Sequence, residues 1–306
     1  MWLRRRASAP IEECISEKSN VEIPRLNGII RQLEQGKNAF VAFAPPDVGN
    51  TQIAATEPYD GVVFEMEHQA YNITTLRDCL QYLLNRRQIA ESGSLAPAVT
   101  PMVRIPPNGA EMNQWIAKQV LDIGVYGIVW PHVSTIEEAR NAVASCRYAR
   151  PERAPRFEPR GQRGDAPAAA ARYWGLSAPE YYERADVWPL DPKGEVLVAI
   201  MCEDVVGMKN LPQILKEVPG IGAVIIGEGD LSQNLGFPRQ YEHPTVAAAI
   251  GEILDICKQH NVACGHPHVD EKNVKDVVAQ GFRWLMPKHE RTNNALAMGR
   301  KLSGQK

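Results

Sequence analysis

The sequence lacks a long apolar run, a strong net charge and any close pairing of cysteines. No apolar run approaches the roughly 18 residues that a membrane span needs, so we expect no membrane association. Lys and Arg number 34 against 36 Asp and Glu, which excludes a strongly basic nucleic-acid binder as the default expectation. The six cysteines are scattered without a Cys-x-x-Cys pair, which is typical of free thiols. These absences predict a cytoplasmic protein with no nucleic-acid partner.

The first 20 residues predict a disordered tail. Arg4, Arg5 and Arg6 are basic, but no apolar segment follows them, and the glutamates at positions 12, 13 and 17 argue against a transit peptide. The chain has 306 residues, of which 44 % are hydrophobic, and this is enough to bury a sizeable core. We therefore predict that residues 21–306 form a single domain.

Eight short apolar runs alternate with amphipathic stretches along this domain. The runs are rich in Val, Ile and Phe, which is typical of strands buried on both faces. They span residues 40–44, 61–66, 99–105, 127–133, 196–202, 223–226, 262–266 and 282–286. The stretches predicted as helices span residues 74–84, 109–122, 135–145, 206–216, 245–260 and 271–280.

This rhythm predicts an α/β fold of the (β/α)₈ TIM-barrel type. A doubly wound sheet would require a glycine-rich turn after the first strand, whereas residues 45–49 are Pro-Pro-Asp-Val-Gly. A further helical stretch, residues 23–35, precedes the first strand, and we expect it to cover the bottom of the barrel.

One long connection, residues 147–195, interrupts the rhythm between the fourth and fifth strands. Its first part, residues 147–164, carries six arginines against two glutamates. Two hypotheses are open: a solvated basic loop, or a lid over an anionic site. Its second part, residues 173–186, predicts a helical pair that packs through aromatic side chains.

Polar residues follow most of the predicted strands. In a barrel, chemistry takes place at the carboxyl ends of the strands, and Glu203 and Asp230 end neighbouring strands. Two carboxylates with room for waters suit Mg²⁺ or Mn²⁺ better than zinc. Glu65 beside His68 would orient an imidazole as a general base, and Arg104 offers a planar fork for a carboxylate or carbonyl oxygen. Each residue alone has an ordinary explanation such as a helix cap, but five on one rim favour a site.

Four segments resemble the HpcH/HpaI aldolases, which are metal-dependent class II aldolases of pyruvate and related 2-oxo acids. They are residues 59–68, 101–105, 203–215 and 225–238. The resemblance extends over roughly residues 25–302 and implies a barrel whose last helix is exchanged between subunits. It also implies a homo-oligomer, a hexamer built as a trimer of dimers.

The same resemblance implies roles for individual residues. Glu203 and Asp230 match the metal ligands, His68 the catalytic histidine and Arg104 the substrate-binding arginine. The backbone amides of the segment Gly227-Glu228-Gly229 match the loop that holds the substrate carboxylate.

The chain departs from the family pattern at four positions. Glu65 and Met66 stand where the family commonly has Asp and Gly, Met201 replaces a Gln of bacterial members, and Glu228 replaces Pro. These departures affect the proton-transfer pair and the substrate loop, whereas both metal carboxylates are kept.

The expected activity is that of a divalent-metal-dependent lyase that forms or uses the enolate of pyruvate. It would cleave 4-hydroxy-2-oxo acids reversibly to pyruvate and an aldehyde, decarboxylate oxaloacetate, or do both, with Mg²⁺, Mn²⁺ or Co²⁺. One alternative is a decarboxylase that forms a carbon–carbon bond, as in macrophomate synthase, a fungal member of the family. Another is a barrel that binds oxo acids without turning them over.

Two other chemistries compete with this interpretation. A class I aldolase needs a Schiff-base lysine, for which Lys288 after the eighth strand is the candidate. A zinc hydrolase would use His266 and His268, with His132 as a possible third ligand.

Overall fold

Nine parallel strands form one sheet in the computed structural model, which describes residues 23–106, 111–112 and 114–305. They are β1 (Ala39–Ala44), β2 (Gly61–Glu65), β3 (Thr100–Arg104), β4 (Gly127–Trp130), β5 (Val187–Trp188), β6 (Val196–Cys202), β7 (Ala223–Ile226), β8 (Ala263–Val269) and β9 (Trp284–Pro287). Pairing of β1 with β9 and of β4 with β6 closes eight of them into a barrel, and the two-residue β5 adds to the start of β6. The predicted (β/α)₈ barrel is confirmed.

Thirteen helices accompany the strands in the described part of the chain. They are α1 (Gly28–Glu34), α2 (Val48–Thr56), α3 (Ile73–Leu83), α4 (Arg86–Ser92), α5 (Gln114–Asp122), α6 (Ile136–Ser145), α7 (Ala168–Trp174), α8 (Ala178–Arg184), α9 (Val205–Glu217), α10 (Glu228–Asn234), α11 (Pro244–Gln259), α12 (Val274–Gln280) and α13 (Asn294–Leu302). The predicted tail, residues 1–20, and residues 109, 110 and 113 of the stretch 109–122 lie outside the described residues. None of the helices described combines the length and the apolar composition needed to cross a membrane.

Helix α1 closes the bottom of the barrel, as its place before the first strand predicted. Ile29, Ile30 and Leu33 are buried and belong to the apolar cluster that fills the barrel interior. The helix passes close to the start of β2, where a Cβ on Gly61 would lie 2.4 Å from Ile29 Cδ1. The side chain of Asn27 caps the helix by accepting hydrogen bonds from the backbone N–H groups of its first turn.

The last helix, α13, packs on its own barrel. Gly299 lies against the ring of Phe40, and Arg300 Nη1 lies 3.2 Å from a carboxylate oxygen of Asp60. The helix thus fills the eighth helical position next to α12. The expected exchange of the last helix between subunits stays a prediction.

The long connection 147–195 lies at the bottom of the barrel, because it follows helix α6 and leads to the start of strand β6. Two of the six arginines in its first part are buried in ion pairs within the fold. Arg147 is buried and donates to both carboxylate oxygens of Asp186 at 2.7 and 3.0 Å. Arg163 is buried against Asp122 and the hydroxyl of Tyr181. The lid hypothesis is therefore wrong. A loop that connects a helix to the next strand lies at the amino ends of the strands, whereas the site lies at their carboxyl ends.

A helical pair, α7 and α8, follows in this connection, but it begins earlier than the predicted stretch 173–186, which contains all of α8 and only the last two residues of α7. The ring of Trp174 stacks on Tyr126 with centroids 4.3 Å apart, and its indole N–H donates to the Gly124 carbonyl. Tyr181 packs edge-on against the same indole. Aromatic packing thus fixes both helices to the barrel.

The buried Arg147–Asp186 pair is expected to stabilise the folded protein. We expect Arg147→Met to lower the free energy of unfolding by about 3–5 kcal/mol, since it leaves the Asp186 carboxylate buried with one partner fewer. Arg153→Met, at an exposed position of the same segment, should change it by less than about 0.5 kcal/mol. Urea unfolding of both variants measures the difference. Equal stabilities would show that the pair is dispensable.

Candidate active site

The carboxyl ends of the strands surround a cavity of about 540 Å³. Its lining includes Phe43, Arg104, Met201, Glu203, Gly227 and Asp230. Polar groups therefore converge at the end of the barrel where chemistry is expected.

Glu203, Asp230 and His132 form a cluster that fits a divalent cation. Glu203 is buried after strand β6, Asp230 lies exposed in the first turn of α10, and His132 follows β4. One ligand atom from each lies within 4.8 Å of the other two. Two carboxylate oxygens and an imidazole nitrogen are ordinary donors for Mn²⁺ and related ions. The sequence predicted the two carboxylates as metal ligands but did not place His132 beside them.

Gly227 gives the Glu203 carboxylate its space. A Cβ at position 227 would lie 2.1 Å from Glu203 Oε2 and 2.4 Å from its Cγ. Such contacts are closer than any real packing distance, so only glycine fits beside this carboxylate.

We expect Gly227→Ala to displace the Glu203 carboxylate and to weaken Mn²⁺ binding by at least about 10-fold, in the range found when groups around a metal ligand are disturbed. Gly229→Ala is the matched control, since a Cβ there meets nothing within 4 Å. Titration of both variants with Mn²⁺ by electron paramagnetic resonance makes the comparison. Equal affinities would mean that Glu203 does not bind the ion.

The charges of the site are unbalanced. The carboxylates of Glu65 and Glu67 pair with the guanidinium of Arg104, and those of Glu203 and Asp230 line the same cavity. Burial, together with the charge of Asp230, raises the pKa of Glu203 to about 7. Burial likewise raises the pKa of Glu67, against the opposing effect of Arg104. A bound divalent cation would favour the ionised carboxylates, so the electrostatics fit a metal site.

The raised pKa of Glu203 predicts how metal affinity depends on pH. Below about pH 7 the carboxyl group carries a proton, and a metal ion must displace that proton to bind. Affinity for Mn²⁺ should therefore fall by up to about 10-fold for each pH unit below 7 and level off above it. Calorimetric titrations between pH 5.5 and 8.5 measure the profile. An affinity that stays constant from pH 5.5 to 7 would contradict it.

Arg104, at the end of strand β3, is held by two carboxylates. Its guanidinium pairs with Glu65 Oε2, and Nη1 lies 2.9 Å from Glu67 Oε2. The same group lies 4.8 Å from the centre of the Phe43 ring. The fork is therefore fixed in orientation at the wall of the cavity.

The predicted pair of Glu65 and His68 does not form. Glu65 Oε1 accepts hydrogen bonds from the backbone N–H groups of Glu67 and His68, at 2.7 and 3.0 Å, and its other oxygen is on Arg104. The imidazole of His68 is 66 % exposed, and its Nε2 lies 3.5 Å from Glu67 Oε2. Glu65 thus fixes the turn after β2, whereas Glu67 is the carboxylate beside the ring.

The segment Gly227-Glu228-Gly229 leads into helix α10. The Gly227 N–H donates to the Cys202 carbonyl, so it is not available to a substrate. The N–H groups of Glu228 and Gly229 belong to the first turn of α10, where a helix has no internal acceptors. In the segment expected to hold the substrate carboxylate, the N–H groups that remain as donors are therefore those of Glu228, Gly229 and the next residue, Asp230.

The carboxylate of Glu228 contacts two histidines of strand β8. Its buried carboxylate lies 2.6 Å from His268 Nδ1 and 3.4 Å from His266 Nε2. His132 lies apart from these two and belongs with Glu203 and Asp230. The three histidines of the zinc-hydrolase interpretation therefore do not form one metal cluster among the described residues.

A sequence profile of the HpcH/HpaI aldolase/citrate lyase family matches residues 40–286, from the first barrel strand to the last. The chain belongs to this family. The chain is 32 % identical over 235 residues to 2-keto-3-deoxy-L-rhamnonate aldolase of Klebsiella pneumoniae, an alignment that covers 76 % of each protein. This HpcH/HpaI protein is accordingly a carbon–carbon lyase.

Solved structures share the fold of this HpcH/HpaI protein. A family member from Burkholderia cenocepacia superposes with a TM-score of 0.70 at 24 % identity, covering 86 % of this chain and 93 % of the other. Macrophomate synthase superposes with a TM-score of 0.63 at 21 % identity, covering 95 % and 94 %. At these identities the likeness is one of architecture.

Class II aldolases of the HpcH/HpaI family depend on a divalent metal, and the acidic cluster of this chain agrees with that. The class I interpretation has no support in the geometry. The side chain of Lys288 is 80 % exposed, and its ammonium lies 3.1 Å from Glu290 Oε2. A Schiff-base lysine instead needs a desolvated pocket that lowers its pKa.

Proposed function

We propose that this lyase acts on 2-oxo acids through the enolate of pyruvate, with Mg²⁺ or Mn²⁺ as its metal. It cleaves 4-hydroxy-2-oxo acids to pyruvate and an aldehyde, and it decarboxylates oxaloacetate. The observation that carries the proposal is the convergence of Glu203, Asp230 and Arg104 on one cavity at the carboxyl ends of the strands. The working form proposed is a cytoplasmic homo-oligomer, a trimer of dimers.

Glu203 and Asp230 would hold the metal ion, which when bound supplies a Lewis acid for the negative charge of the enolate. Arg104 adds a second positive group at the same wall. Its fork, fixed by Glu65 and Glu67, donates to the carbonyl oxygen at which charge develops. Because this orientation exists before substrate arrives, little reorganisation is needed during the reaction.

The substrate carboxylate binds at the start of helix α10. The free first-turn amides of Glu228 and Gly229 donate to it, and the positive end of the helix attracts it. This places the 2-oxo acid between the helix and Arg104.

His68 moves the proton. Its imidazole is 66 % exposed, and its Nε2 lies 3.5 Å from Glu67 Oε2. In the cleavage direction it takes the proton of the 4-hydroxyl group and later returns one to the methylene carbon of the enolate. Decarboxylation of oxaloacetate gives the same enolate without removing a hydroxyl proton, so it depends less on His68.

The test uses metal-stripped protein with two substrates, oxaloacetate and a 4-hydroxy-2-oxo acid such as 2-keto-3-deoxy-L-rhamnonate. Pyruvate release above the metal-only background, restored by Mg²⁺ or Mn²⁺, supports the proposal. His68→Gln should slow aldol cleavage by at least about 10²-fold, the range for a general acid–base group, and slow decarboxylation less. Release of pyruvate from neither substrate by protein that still binds oxalate would indicate a non-catalytic barrel.

A further inference from the structure

His132 occupies an unusual position at the edge of the site. It follows strand β4 with a φ of +49°, a conformation that a residue with a Cβ adopts rarely. Its backbone N–H donates to Glu203 Oε1 at 2.8 Å. The backbone of His132 therefore fixes the Glu203 carboxylate, which would hold the metal. It also places the imidazole of His132 beside that carboxylate.

The imidazole of His132 lies between two carboxylates. Nδ1 is 3.8 Å from Glu203 Oε1, and Nε2 is 3.7 Å from Glu67 Oε1. A proton on Nε2 would face Glu67, and Nδ1 would then carry the lone pair on the side of Glu203. A carboxylate that orients the far nitrogen of a metal-binding histidine is a recurrent arrangement around protein metal sites.

We propose that His132 is a third protein ligand of the metal, binding through Nδ1, with Glu67 as the residue that orients its ring. This rests on the proposed function, in which Glu203 and Asp230 hold the ion. The separations within the cluster, all below 4.8 Å, match those between ligands around one ion. A neutral nitrogen donor strengthens binding of transition metals more than binding of Mg²⁺, so His132 would favour Mn²⁺ over Mg²⁺ at this site.

Pulsed electron paramagnetic resonance of the Mn²⁺-loaded protein tests the proposal without an activity assay. We expect a coupling to one imidazole ¹⁴N nucleus in the wild type. The coupling should disappear in His132→Asn, a residue that tolerates a positive φ, and persist in His68→Gln. A wild-type spectrum without nitrogen coupling would overturn the assignment. This outcome does not depend on whether any variant folds.

Metal affinities give an independent measurement. His132→Asn should weaken Co²⁺ and Mn²⁺ binding by about 10–100-fold and Mg²⁺ binding by less than about 3-fold. An equal loss for all three ions, or no loss, contradicts the role of His132. Asp230→Asn separates the two levels of the argument. If Mn²⁺ binding is insensitive to it, the proposed metal site is wrong and the assignment of His132 falls with it. If binding requires Asp230 but shows no nitrogen coupling, only the assignment of His132 is wrong.

Discussion

Asp230→Asn lowers metal-dependent kcat/KM for oxaloacetate by at least about 10³-fold, because the metal contributes several kcal/mol to stabilising the charge that develops. The substitution removes one negative charge and keeps the shape of the side chain. Asp230 is exposed in the first turn of α10, so the loss of activity comes without a large loss of stability. Pyruvate release at saturating Mn²⁺, with the melting temperature measured in parallel, checks both parts.

Asp204→Asn is the control for this result. Asp204 neighbours Glu203 and caps helix α9 by accepting from the Gly207 N–H at 2.6 Å, a bond that asparagine also makes. It loses the same charge one residue away from the site. We expect its activity within about 3-fold of wild type, since exposed or capping changes of this kind alter little besides local stability. Equal losses in the two variants would mean that general electrostatics, and not metal ligation, explain the effect.

Arg104→Lys should lower kcat by about 10²-fold, the usual effect of removing one oriented donor from a developing oxyanion. Lysine keeps the positive charge but loses the planar fork that Glu65 and Glu67 hold in place. Metal affinity should change little, because Arg104 is not a ligand. The rate of proton exchange at the methyl group of pyruvate, at saturating pyruvate and Mn²⁺, reports the effect.

Arg239→Lys provides the comparison, since Arg239 also lines the cavity but makes no ion pair among the described residues. Its exchange rate with pyruvate should stay within about 3-fold of wild type. If Arg104→Lys exchanged pyruvate protons as fast as Arg239→Lys, the fixed fork would have no part in the chemistry.

The architecture was predictable from sequence because buried parallel strands appear as short apolar runs. Each of the eight runs corresponds to a barrel strand, and helix α1 covers the bottom. Helix α2 was missed because its apolar residues do not gather on one face. The sequence left both a solvated loop and a lid open for residues 147–195, and the order of elements argues against the lid, since this connection follows a helix and not a strand.

The site was predictable only in part. The convergence of Glu203 and Asp230 on one cavity follows from their positions after β6 and β7. The partners of His68 and Arg104 depend on the turn after β2, where Glu65 accepts two backbone N–H groups and Glu67 takes the place beside the imidazole. The string Glu-Met-Glu-His contains both acids, but spacing alone does not say which one turns into the site. The position of His132 beside Glu203 depends on a positive φ angle, which no sequence pattern indicates.

Exchange of the methyl protons of pyruvate for solvent deuterium, followed by nuclear magnetic resonance, tests the enolate claim most directly because it needs no acceptor aldehyde. Metal-stripped protein should leave the methyl signal intact. Added Mg²⁺ or Mn²⁺ should make it disappear faster than metal alone does, in the wild type and in Asp204→Asn but not in Asp230→Asn. Metal-loaded wild-type protein that binds pyruvate and exchanges none of its protons would contradict the account.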